Sequence, residues 1–197
     1  MTIASYPLLD RRKLLTGGLA ATSMLALPVA ATAADGTPVR LPVELFEMTM
    51  SEARSSRRMR LLADAMGGRV VALNFMFTGC SSVCPMQSLL LSRTQELMYP
   101  RMGRDVVFLS ITLSPVTDTP KKLQDYAEKH SAGPGWLFLA GDFVETNRLQ
   151  KAFDAYEAER DAHPPVICIG KAGADRWTRL YGMPRPELIA RELNAWL

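Results

Sequence analysis

The chain has 197 residues, 48% of them hydrophobic and 22% charged, which are ordinary globular values and exclude a disordered protein. Its formal charge is +3, but two of those charges fall before residue 34, so the remaining 164 residues carry only +1 and show no electrostatic footprint for nucleic acid. Three cysteines are too few to staple a small disulfide scaffold, so each must be read by its position.

Residues 1–33 read as an address. Arg11-Arg12-Lys13 make a charged start, a moderately apolar stretch runs from Leu14, and Ala31-Thr32-Ala33 closes it, the order of a secretory signal. The arginine pair, with Leu14 and Leu15 just behind it, is similar to the twin-arginine signal. The alternative is a retained membrane anchor, since about 20 residues could just cross a bilayer. Either way the globular part is expected outside the cytoplasm, in a periplasm where cysteine pairs can oxidise.

Residues 34–69 form a lead-in to a domain over residues 70–197. Within the lead-in, residues 45–50 partly alternate and predict an edge strand. Arg54, Arg57, Arg58 and Arg60 predict a solvated face, and Gly67-Gly68 a turn. Residues 70–77 are apolar apart from Asn74 and predict a buried strand. Residues 86–98 predict a helix, and residues 106–111 a second buried strand. Thr119-Pro120 opens a helix to about residue 131, with Thr at the cap and Pro where the helix has no use for a donor. A short strand over 136–139 follows. Asp142 with Glu145 forms a capping box for a helix to about Tyr156. Residues 166–169 and 177–181 predict a hairpin, and Leu188, Ile189, Leu193 and Trp196 a final helix. The class is α/β. A βαβ half followed by a ββα half is a single thioredoxin-like domain with an N-terminal extension and a C-terminal hairpin plus helix, although the pattern alone allows other small α/β sheets.

The chemistry gathers where strand 70–77 runs into Thr78-Gly79-Cys80-Ser81-Ser82-Val83-Cys84-Pro85. Thiols at i and i+4 sit one helical turn apart on one face, and the helix dipole there favours thiolate. Four readings follow: two small buried residues, a structural disulfide, a redox pair, or two metal ligands. A peroxidatic site fits poorly, because Phe77 stands seven residues before Cys84 where that chemistry wants proline. Cys168 alternates within an apolar strand and is expected in the core. Of the two histidines, His130 ends a helix and suits its dipole, whereas His163 precedes a strand in a loop, where it could reach a neighbour. Two thiolates and one imidazole suit copper, while a closed zinc site would want a fourth ligand. Met48, Met50 and Met59 could offer thioethers, but packing is their expected role.

Residues 71–85, carrying Cys80-Ser-Ser-Val-Cys84-Pro85, resemble the cysteine motif of the Sco/SenC copper chaperones. Residues 110–126, with Asp118-Thr119-Pro120, resemble the family's second block, Leu139-Ala140-Gly141 its third, and His163 stands where its copper-ligating histidine does. The resemblance covers roughly residues 45–195. It implies a thioredoxin-like domain that binds a copper ion through Cys80, Cys84 and His163. It further implies delivery of that copper to the dinuclear copper centre of cytochrome c oxidase subunit II, or to another copper acceptor. The competing function is a thiol–disulfide oxidoreductase in which Cys80 and Cys84 reduce a partner's cysteines, with a thioredoxin-like protein as its own reductant. Two departures bear on the histidine. Ser114 replaces the usual Asp, and Ala162 and Pro164 flank His163 in place of Asp and a small polar residue.

Overall fold

The computed structural model describes residues 36–197. The address expected over residues 1–33 lies outside the described residues. Among the described residues, no helix is long and apolar enough to cross a membrane.

One eight-stranded sheet organises the fold. In chain order its strands are β1 (Pro38–Pro42), β2 (Thr49–Glu52), β3 (Arg58–Arg60), β4 (Val70–Met76), β5 (Val106–Thr112), β6 (Trp136–Ala140), β7 (Val166–Gly170) and β8 (Arg176–Tyr181). The helices are α1 (Val83–Leu97), α2 (Pro120–Lys129), α3 (Phe143–Ala152) and α4 (Pro186–Ala195). Across the sheet the order is β1-β8-β7-β4-β5-β6-β2-β3. β4, β5 and β6 run parallel, β7 pairs antiparallel with β4, and β7–β8 is the hairpin before α4. This is the thioredoxin-like arrangement.

The central strands are mostly apolar because both of their faces are covered, and the buried Ser110 hydroxyl donates to Asn74 Oδ1 at 2.8 Å between β5 and β4. Alternation splits the core in two. Val70, Ala72 and Met76 join Cys84, Leu91, Leu123, Tyr126 and Ile189 under α1, α2 and α4. Val71, Leu73 and Phe75 join Leu149, Phe153, Cys168 and Trp177 under α3. Met48 and Met50 are buried in this second core and Met59 packs against it, the expected packing role.

Several boundaries differ from the sequence reading. The strand expected over 45–50 is β2, which starts at Thr49. It is not an edge, because β6 and β3 flank it. β1 was not expected. Prolines at both its ends suit a true edge strand, where missing donors cost nothing. A single π-helical turn, Leu61–Met66, carries no sequence signal and ends at Gly67, whose left-handed φ of 54° needs no Cβ. The four lead-in arginines are exposed, but Arg54 also donates to the carbonyls of Ala132, Gly133 and Trp136, tying the lead-in to the turn before β6. α1 starts at Val83 rather than residue 86. It turns Leu89 and Leu97 outward and buries Gln87, Ser88 and Thr94, each with a partner. α3 stops at Ala152 instead of Tyr156, because Asp154 takes a left-handed φ of 50°. Both predicted caps form: Thr119 accepts from the Lys122 N–H, and Asp142 from those of Val144 and Glu145.

Candidate functional site

The C-terminal ends of β4 and β5, and the start of α1, enclose a cleft of about 360 Å3. Cys80, Ser81, Ser82, Lys122 and Arg160 line it. In open α/β sheets this end is where ligands bind.

Phe77 ends β4's apolar run, and its carbonyl accepts the Cys80 N–H at 3.2 Å, which turns the chain toward the helix. Ser82 precedes α1, but its hydroxyl caps nothing. Instead the Cys84 N–H donates to the Cys80 sulfur at 3.4 Å, so the sulfur takes one of the helix's orphan donors. Pro85 follows in the first turn, where its missing N–H is harmless.

The two thiols are unequal. Cys80 is partly exposed at the cleft, while Cys84 is 1% exposed inside the first core. Burial acts to raise the Cys80 thiol. Hydrogen bonding from the Cys84 side chain and backbone and from Ser82 outweighs it, leaving the group below its ordinary value. Burial, and then the neighbouring Cys80, push Cys84 far up. Cys80 is therefore the available nucleophile and ligand, and Cys84 a thiol held in reserve. Cys168 lies in the second core, on the opposite face of the sheet, and burial pushes it up to about 12.

Asp118 holds the loop from below. It is 3% exposed and accepts from the Thr78 N–H at 3.0 Å, the Thr78 hydroxyl at 2.5 Å and the Thr112 hydroxyl at 2.5 Å. The carboxylate thus ties the residue two before Cys80 to the end of β5.

His163 is 4% exposed, in the loop before β7. Its Nδ1 lies 2.8 Å from the Arg160 carbonyl, which can only accept, so Nδ1 carries the proton and the Nε2 lone pair is free. Its ring meets Phe77 edge-on with centroids 6.1 Å apart. The structure brings Cys80 and Cys84 together and sets the His163 ring against Phe77, which leads into their loop. Among the described residues, no three His, Cys, Asp or Glu side chains are grouped closely enough to hold a metal. His130 ends α2 as expected, and its ring lies tilted against Tyr126 with centroids 4.5 Å apart. Phe77, Asp118 and Arg160 were not predicted as parts of the site. Only the Asp-Thr-Pro block pointed near one of them.

Residues 54–168 match the SCO1/SenC family model. The SCO1 protein homolog of Bacillus subtilis (strain 168) is 25% identical over 105 residues, 53% of this chain and 51% of that one. This chain spans about half the length of the curated relatives it matches, 43% and 51%. Two solved structures share the fold. A SCO1/SenC family lipoprotein from Bacillus anthracis str. Ames is 19% identical with a TM-score of 0.68, over 79% of this chain and 96% of that one. Bradyrhizobium japonicum ScoI, solved with copper bound, is 20% identical with a TM-score of 0.62, over 77% of this chain and 98% of that one.

Proposed function

The chain belongs to the SCO1/SenC family, and we propose on that footing that it is an exported copper chaperone whose cargo is held by Cys80, Cys84 and His163. The observation that carries this reading is the pair of sulfurs at the start of α1, one of them open to the cleft with its thiol lowered. The donor chemistry fits a soft metal ion: two sulfurs that become thiolates, and an imidazole whose Nδ1 is already fixed by a carbonyl, leaving Nε2 to bind.

Delivery is ligand exchange. An acceptor thiolate enters through the cleft and bonds to the copper at Cys80, and the donor ligands then leave one by one. No electron need move. The acceptor is the dinuclear copper centre of cytochrome c oxidase subunit II, and the work is done in the periplasm, by either a cleaved or an anchored form.

The inequality of the two thiols supports a second reading, a thiol–disulfide oxidoreductase. The Cys80 thiolate attacks a partner's disulfide and releases the partner's first sulfur as a thiolate; Cys84 passes its proton to that thiolate and attacks the mixed disulfide, and the partner's second sulfur leaves and takes a proton from solvent. The partner leaves with two thiols, and Cys80–Cys84 becomes the disulfide.

Copper titration separates the two. The reduced protein should bind about one copper ion, and the Cys80–Cys84 disulfide form little, since a disulfide offers no thiolate. His163→Ala should weaken copper binding roughly 10–100-fold and leave dithiol exchange unchanged. Equal copper uptake by the reduced and oxidised forms would overturn the copper site. Unchanged copper affinity in His163→Ala with slower dithiol exchange would favour the oxidoreductase.

A further inference from the structure

We propose that Arg160 is a positioning residue for His163, a latch that fastens the histidine's loop to the two loops around the cysteines. The proposal rests on the copper-site reading above.

Arg160 acts at both of its ends. Its backbone carbonyl accepts from His163 twice, from Nδ1 at 2.8 Å and from the backbone N–H at 3.2 Å. This fixes the tautomer and turns the ring. Its guanidinium reaches away from that turn. It lies over the Phe77 ring at 4.3 Å, and Nη1 donates to the Ser114 hydroxyl at 3.0 Å. The Ser114 hydroxyl passes the bond on to Thr117 at 2.8 Å, in the turn after β5 that also supplies Asp118. Phe77 completes the circuit. The same ring that carries the guanidinium meets the His163 ring edge-on, and its carbonyl holds the Cys80 N–H.

Three loops distant in sequence are thus joined through one side chain. The one before β7 carries the histidine, the one after β4 the cysteines, and the one after β5 the carboxylate that anchors Thr78. Nothing in the 3-10 turn Arg160–Ala162 is itself buried. His163 behind it is buried, and the Pro165 carbonyl accepts the Gly182 N–H at 2.7 Å, which anchors the far end of the loop. On the side toward the cysteines the turn is fastened by the guanidinium. The salt bridge to Asp161 at 3.2 Å joins adjacent exposed residues and does not cross between loops.

The latch supplies one stacked cation and one charge-assisted hydrogen bond. Losing both should weaken copper binding roughly 5–20-fold, no more than the loss of His163 itself. The test is a copper-affinity series on the reduced protein, comparing Arg160→Ala, Arg160→Lys, His163→Ala and the double variant. The absorption and paramagnetic-resonance spectra of the cupric form are recorded alongside. Arg160→Ala should lose affinity and shift the cupric spectrum toward that of His163→Ala. Arg160→Lys, which keeps a cation and a donor, should recover most of both. Adding Arg160→Ala to His163→Ala should change nothing further. Affinity and spectrum unchanged in Arg160→Ala, while His163→Ala loses both, would overturn the latch alone. An equal loss from Arg160→Ala with and without the imidazole would also overturn it. If His163→Ala binds copper as the unaltered protein does, the histidine ligand falls, and the latch with it.

Discussion

Asp118 offers the most direct measure of how the cysteine loop is held. Asp118→Ala removes an acceptor that three donors share: the Thr78 N–H, the Thr78 hydroxyl and the Thr112 hydroxyl. A hydrogen bond to a charged group contributes about 1.5–3 kcal/mol net. The three do not simply add. The Thr112 oxygen keeps the Ser114 N–H at 3.0 Å, and the cleft beside Thr78 admits water to one of the orphaned donors. About two bonds' worth is lost, roughly 3–6 kcal/mol. For a domain of this size, 1 kcal/mol moves the melting temperature by about 2–4 °C. A fall of roughly 6–24 °C is therefore expected in the fully reduced protein, with the urea midpoint lowered at unchanged slope. The loss should also be local. With Thr78 released, the loop between β4 and α1 loosens, and alkylation of the buried Cys84 should quicken relative to that of Cys80. Asp118→Asn keeps one acceptor oxygen but aims an amide donor at other donors, so it should fall between the two. A cost below about 1 kcal/mol for Asp118→Ala would refute the reasoning, since it would mean the three bonds are replaced in full by water.

Two further predictions concern the thiols. In Cys84→Ala the side-chain donor that favours the Cys80 thiolate is gone while the backbone N–H stays, so the pH midpoint of Cys80 alkylation should move up toward the ordinary thiol value; a midpoint that stays or falls would show that hydrogen bonding is not what lowers it. Cys168→Ala should leave copper uptake and dithiol exchange intact and cost about 1 kcal/mol. In the native reduced protein Cys168 should not titrate with thiol reagents near neutrality, because burial pushes it up to about 12; fast reaction of all three cysteines would remove it from the core.

What could be read ahead of the structure follows from where the physical constraint is local. β4 and β5 were legible because strands covered on both faces are nearly all apolar, and theirs are broken only by Asn74 in β4 and by Ser110 and Thr112 in β5. The caps at Thr119 and Asp142 were legible because a cap is satisfied within three residues. β1 was not, since an edge strand of Pro, Val, Arg, Leu and Pro gains its place from the partner β8, not from its own pattern. The outward turn of Leu89 and Leu97 was hidden for a similar reason. α1 buries polar residues because Gly182 and Tyr126, far away in sequence, supply their partners. The site divides along the same line. Cys80 and Cys84 are one turn apart and announce themselves. His163 stood out through scarcity and resemblance. Asp118 meets Thr78 across 40 residues and Arg160 meets Ser114 across 46, and no periodicity reports such pairs.

The same geometry decides which experiments carry information about function. Cys84 sits in the first core and Cys80 at the cleft, so any partner, whether a thiolate seeking copper or a disulfide seeking electrons, meets Cys80 first. Replacing Cys80 stops both chemistries and cannot tell them apart. Replacing Cys84 is scarcely better, because copper exchange loses a ligand and disulfide exchange loses the resolving thiol. The residues that discriminate are those proposed for copper that carry no sulfur. His163 is one, its ring against Phe77 at the start of the cysteine loop, and Arg160 stands behind it. The imidazole's Nδ1 faces a carbonyl, so it is the Nε2 lone pair that would serve either as a copper ligand or as a base for a thiol proton, and His163→Ala reports which. On the two readings proposed for this chain, the substitutions that separate metal transfer from dithiol exchange therefore lie in the loop before β7, not in the cysteine motif.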